Sequence, residues 1–117
     1  KMMVRDYTRR LLAANARNAQ KGLLMIYKEQ TPMERAFRGQ MLEEKNGFGF
    51  TAFDSDILSS FAEQFLLRGS LSMRQNQILM SRMPRYANQI VKIIGEEKIR
   101  EVIRRKQAAE RPLEETP

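Results

Sequence analysis

Residues Asn46–Ile94 read NGFGFTAFDSDILSSFAEQFLLRGSLSMRQNQILMSRMPRYANQIVKII. Ile57, Leu58, Phe61, Phe65 and Leu66 recur at helical spacing, so this part is expected to be an amphipathic helix. Thr51 or Asp54 is placed to cap its start, and Gly69 to end it. Ser70 or Ser72 then caps a second helix, whose buried side is expected to be Leu71, Ile78, Leu79 and Met83. Pro84 lacks an amide hydrogen and must break or kink that helix. A helical stripe resumes with Tyr86, Ala87, Ile90, Val91 and Ile94 and stops at Gly95. Ahead of all this, Phe48, Phe50 and Phe53 are expected to turn inward and pin the Asn46–Phe50 loop to the core.

The flanking sequence has the same period. Val4, Tyr7, Leu11 and Leu12 form one stripe, and Ala19, Leu23, Ile26 and Tyr27 another. Residues Asn15 to Asn18 leave open whether these are one helix or two. Gly22 weakens the second stripe by about 1 kcal/mol relative to alanine. Thr31-Pro32-Met33-Glu34 has the pattern of a capping box with proline in the first turn, opening a helix that should end near Lys45. Ile99, Val102 and Ile103 mark a last helix. No run alternates as a strand would. The fold class expected is all-α: a compact bundle of about six helices containing a helix-turn-helix-like hairpin, with one domain over residues 1–109 and a flexible tail over 110–117.

Composition removes much chemistry. Of 117 residues, 42% are hydrophobic and 30% charged, as in a globular domain. Cysteine and histidine are both absent. That excludes disulfides, thiolates, the commonest general base and the commonest metal ligand. Carboxylate pairs remain at Glu43-Glu44, Asp54/Asp56 and Glu96-Glu97, but acidic residues at a helix start are expected from the helix dipole alone. No Ser-x-x-Lys occurs. The two glycines of the Asn46–Phe50 loop lack the lysine and the βαβ setting of a phosphate-binding loop. No enzyme activity, cofactor or metal is expected. No apolar run approaches the roughly 20 residues that cross a bilayer, and the start KMMVRDYTRRLL lacks the apolar core of a signal peptide, so no membrane partner is expected.

Charge points to a polyanion. The formal net charge is +7 and the pI ≈ 10.1. From Arg5 to Arg38 eight basic residues face three acidic ones, whereas the sequence from Glu96 onward is balanced at six against six. Such an excess suits phosphate backbones or an acidic protein partner; the plain alternative is a solvated surface. In the helix after Ser72, Arg74 can grip guanine, and Gln75, Asn76 and Gln77 can grip adenine. Arg68, Arg82 and Arg85 are placed to reach phosphates. Arg5, Arg9, Arg10 and Arg17 form a second basic group near the N-terminus, where Tyr7 and Tyr27 could stack on unpaired bases or fill the core. Met25, Met33, Met41, Met73, Met80 and Met83 are either core fillers or an adaptable protein-binding patch.

Asn46, Gly47, Gly49, Phe50, Asp54, Gly69, Leu71, Ser72, Gln75, Tyr86, Gln89 and Ile90 together make a pattern: a Gly-Phe loop, an Asp-led helix, a Gly-x-Leu-Ser turn, a Gln-bearing helix and a Tyr-x-x-Gln-Ile ending. It resembles a small helical module of bacteriophage and plasmid proteins, sometimes attached to helicase-like or other DNA-metabolism proteins. The resemblance covers residues 5–94. Met73 departs from it, standing where proline or glutamate is usual. It implies a mobile-element protein that handles DNA in the cytoplasm of a bacterial host cell, and it implies no catalytic residues. The expected function is non-enzymatic nucleic-acid binding through basic helices, with DNA favoured over RNA. The alternative is a phage-encoded interaction module that inhibits or recruits a host or phage enzyme.

Overall fold

The structure is a computed structural model and describes residues 3–30 and 49–109. The helix expected to start at Thr31, Phe48 of the loop, Met33, Met41 and the tail lie outside the described residues. Within them run six α-helices and one 3-10 turn: α1 (Val4–Ala14), α2 (Ala16–Glu29), α3 (Ala52–Arg68), α4 (Met73–Arg82), the 3-10 turn Met83–Tyr86, α5 (Ala87–Ile94) and α6 (Glu96–Ala109). The described residues contain no strand, and the all-α reading holds.

Local chemistry sets the boundaries. The first two stripes are separate helices, because Asn15 is extended and its side chain accepts from the Asn18 amide to cap α2. Thr51, rather than Asp54, caps α3, its hydroxyl accepting from the Asp54 amide. Gly69 ends α3 at φ 78 and Gly95 ends α5 at φ 104, backbone shapes that cost a side-chain-bearing residue about 1 kcal/mol or more. Ser72 opens α4 with a complete capping box, its partner being Gln75. Pro84 sits at the start of the 3-10 turn, which bends the chain from α4 into α5.

α2 is the centre of the assembly. It packs against α1, α3, α4 and α5, so its buried side chains Ala19, Leu23 and Ile26 are shared by every neighbour. A second, smaller cluster of Val4, Ile99 and Ile103 clamps α6 to α1. Gly22 explains itself here. A Cβ at this position would lie 2.7 Å from Leu12 Cδ2 and 3.2 Å from Met83 Cε. Its cost to the helix is offset by the close approach of α1 and the 3-10 turn. Gly22→Val is expected to destabilise the protein by about 1–3 kcal/mol through overpacking, measured by urea unfolding; an unchanged midpoint would mean that the crossing is looser than it looks.

Two expectations about α3 are corrected. Leu66 is 53% exposed, not buried. The buried face runs through Asp54, Ser55, Leu58, Ser59, Phe61 and Ala62, and the last turn projects past its neighbours, leaving Leu67 exposed as well. Phe50 is buried as expected, edge-on to Tyr86 with ring centroids 5.8 Å apart. Phe53 is 76% exposed and instead lies under the Arg82 guanidinium, 5.4 Å from its ring centroid.

Candidate nucleic-acid interface

The polar residues between Gly49 and Gln89 are largely bonded to one another. Asp54 is fully buried near the start of α3. One of its oxygens accepts from Arg82 Nη1 at 2.8 Å. The other accepts from the Tyr86 hydroxyl at 2.6 Å and lies 3.5 Å from Arg85 Nη1. The Tyr86 oxygen in turn accepts from the Thr51 amide at 3.2 Å. A buried carboxylate is costly unless its oxygens are matched, and here both are. Gln89 performs a similar service for the Gly49 backbone, accepting from its amide at 2.9 Å and donating to its carbonyl at 3.0 Å.

Burial pushes the Tyr86 phenol up to about 12, helped by its hydrogen bond to Asp54 and opposed by its bonds from Thr51. The folded chain therefore holds this proton more tightly than the unfolded chain, whose tyrosine titrates near 10. The resulting stability is complete below about pH 10 and is lost as pH rises toward about 12. Between about pH 9 and about pH 11 the native protein should lose about 1 kcal/mol more than Tyr86→Phe does, as read by urea unfolding. Equal losses would show that the phenol is not held this way.

These bonds change the standing of the α4 residues. Arg82 is engaged by Asp54 and covered by Phe53, and Arg85, 57% exposed, is drawn to the same carboxylate. Gln75 completes the capping box and exchanges two side-chain hydrogen bonds with Gln64, each 3.0 Å. Asn76 accepts from Gln20 at 2.9 Å and donates to the Leu71 carbonyl at 3.3 Å, which seats α4 on α2. Gln75 and Asn76, expected to read bases, thus have their amides committed inside the fold. Arg74, Gln77 and Arg68 are exposed. Of the two roles open to Tyr27, the structure shows the core one: it is buried, and its hydroxyl bonds to Glu63 at 3.1 Å. Of the methionines, Met83 is fully buried, Met25 and Met80 pack on the core, and Met73 is 79% exposed.

The N-terminal hairpin is different. Between Val4 and Glu29 six basic residues stand against two acidic ones. Arg5 approaches Asp6 only to 4.0 Å. Arg9, Arg10, Arg17, Lys21 and Lys28 are all exposed, and none makes an ion pair among the described residues. At 100° per residue, Arg17, Lys21 and Lys28 fall within about 40° of one another on α2, opposite its buried Ala19, Leu23 and Ile26. The stripe is about 16 Å long, close to the axial length of five base pairs. Lys21 and Lys28 belong to this surface although the sequence reading stopped at Arg17; their i+4 and i+11 spacing from Arg17 is the signal that finds them. In α6, by contrast, Arg100 pairs with Glu96, and Arg104 and Arg105 pair with Glu101.

Among the described residues no helix is long and apolar enough to cross a membrane, and no group of three acidic side chains is placed to hold a metal ion. No family model, curated protein or solved structure matches the chain.

Proposed function

We propose that this protein binds nucleic acid without acting on it, DNA in preference to RNA, through the outward face of α1 and α2. The observation that carries this reading is the row of cations on α2, Arg17, Lys21 and Lys28, which have no ion-pair partner among the described residues, with Arg9 and Arg10 also exposed on α1. Cations not engaged by a carboxylate can replace the counterions condensed on a phosphate backbone, whose release is the driving term for binding. Arg74 and Arg68 add a smaller second contact at the far end. The direct reading of bases by α4 is not part of the proposal, since Gln75 and Asn76 are bonded internally. The resemblance to phage and plasmid modules supplies the setting of mobile-element DNA handling.

A fluorescence-anisotropy titration of labelled single- and double-stranded DNA at low and moderate salt tests it. Binding at low salt that weakens as salt rises is the expected result. A second reading draws on a different observation. Leu66, Leu67 and Met73 are exposed around the Gly69 turn, flanked by Arg68 and Arg74. An apolar tip edged with positive charge fits an acidic protein surface. No anisotropy change with either DNA, together with one stoichiometric partner protein, would favour that alternative, in which the chain inhibits or recruits an enzyme.

A further inference from the structure

A groove of about 790 Å³ runs between α1, α5 and α6, within the size range of ligand-binding clefts. Its cations are Arg5, Lys92, Arg100 and Arg104; the two on α6 are paired with Glu96 and Glu101, so Arg5 of α1 and Lys92 of α5 are the ones turned to a ligand. Its floor is apolar, made by Val4, Val91 and Ile103. The amides of Asn88 and Gln107 stand along it, both on exposed residues. Glu96 is the carboxylate among these lining residues, and it is occupied by Arg100, whose guanidinium it holds in place.

We infer that this groove takes unpaired nucleotides, with phosphates on Arg5 and Lys92 and bases laid over the Val4–Val91–Ile103 floor. The inference rests on the nucleic-acid reading above and adds the strand state. A duplex hides the faces of its bases and offers an apolar floor nothing to cover. A single strand exposes those faces, and its edges can bond to free side-chain amides such as those of Asn88 and Gln107. A guanidinium held flat by a carboxylate, as Arg100 is by Glu96, offers a further plane for stacking. Arg5 connects the groove to the α1 cations, since Arg9 lies one turn further along the same helix. A strand leaving the groove past Arg5 would therefore meet the N-terminal basic face.

The test uses the full chain and an oligothymidine about 15 nucleotides long, beside a blunt duplex of the same length. Lys92→Glu should weaken the single strand by about 10-fold and the duplex by no more than about 2-fold. Arg105→Glu, the same charge change on a residue outside the groove, is the control and should affect both oligonucleotides alike. The groove assignment is overturned if Lys92→Glu and Arg105→Glu behave alike, or if the native chain prefers the duplex. In either case the α1–α2 reading survives, provided that charge reversal at Arg17 and Lys21 weakens binding. Absence of binding to both oligonucleotides at low salt overturns the two together.

Discussion

Asp54→Ala is expected to destabilise the protein by about 2–4 kcal/mol, a large part of the total for a domain of this size. Breaking a buried ion pair commonly costs about 3–5 kcal/mol, because a charge is left without its partner. Here the stranded charges are partly relieved: the side chains of Arg82 and Arg85 are 27% and 57% exposed and can turn to water. The Tyr86 hydroxyl, on a residue 2% exposed, cannot turn to water and is left with Thr51 Oγ1 at 3.4 Å, so its lost acceptor adds about 1–3 kcal/mol. Asp54→Asn keeps an acceptor for Tyr86 and should cost less. The double variant Asp54→Ala/Tyr86→Phe should be less destabilised than the sum of its parts by about 1 kcal/mol, because the two side chains share one hydrogen bond. Urea unfolding of the native chain, the three single variants Asp54→Ala, Asp54→Asn and Tyr86→Phe, and the double variant checks all of this. A change within about 0.5 kcal/mol for Asp54→Ala would show that the buried carboxylate does not organise the junction of α3, α4 and the 3-10 turn.

The second large effect concerns binding. Arg17→Glu/Lys21→Glu/Lys28→Glu should weaken DNA by about 100-fold or more near physiological salt, since three phosphate contacts are replaced by three repulsions. All three side chains are exposed, so the fold should remain, and circular dichroism will show whether it does. Arg74→Glu and Gln77→Ala on α4 should change affinity by only a few-fold. If the two sets exchanged places, with α4 dominant and α2 neutral, the helix after Ser72 would be the reading element after all.

The resemblance drawn from the sequence takes on a physical meaning in this light. Gly49 bonds to Gln89, Asp54 to Tyr86, Ser72 to Gln75, and Phe50 packs edge-on against Tyr86. The residues that make the pattern recognisable are therefore those that hold the hairpin in shape, and they say little about what the surface touches. Asn15 left open one helix or two, and two caps stood between neighbours (Thr51 or Asp54, Ser70 or Ser72), but the ends at Gly69, Pro84 and Gly95 were legible in the sequence because each acts within a turn or two of chain. The fates of Phe53 and Leu66 were not, because exposure depends on where another helix stops covering α3. Nor could spacing alone show that Arg82 is engaged, since its partner is 28 residues away, or that Asn76 meets Gln20 across 56 residues. The basic character of the N-terminal hairpin was visible as a charge count. That Arg9, Arg10, Arg17, Lys21 and Lys28 meet no carboxylate among the described residues is a fact of the packing.

In the proposed binding mode, cations on α1 and α2 that have no ion-pair partner among the described residues displace counterions from a phosphate backbone. The slope of log affinity against log salt tests it most directly, taken for the native chain and for Arg17→Glu/Lys21→Glu/Lys28→Glu. A clearly negative native slope is expected, shallower in the variant by about 0.7–0.9 for each contact removed, roughly two to three units in all. A native slope near zero, or one that the three substitutions leave unchanged, would contradict it.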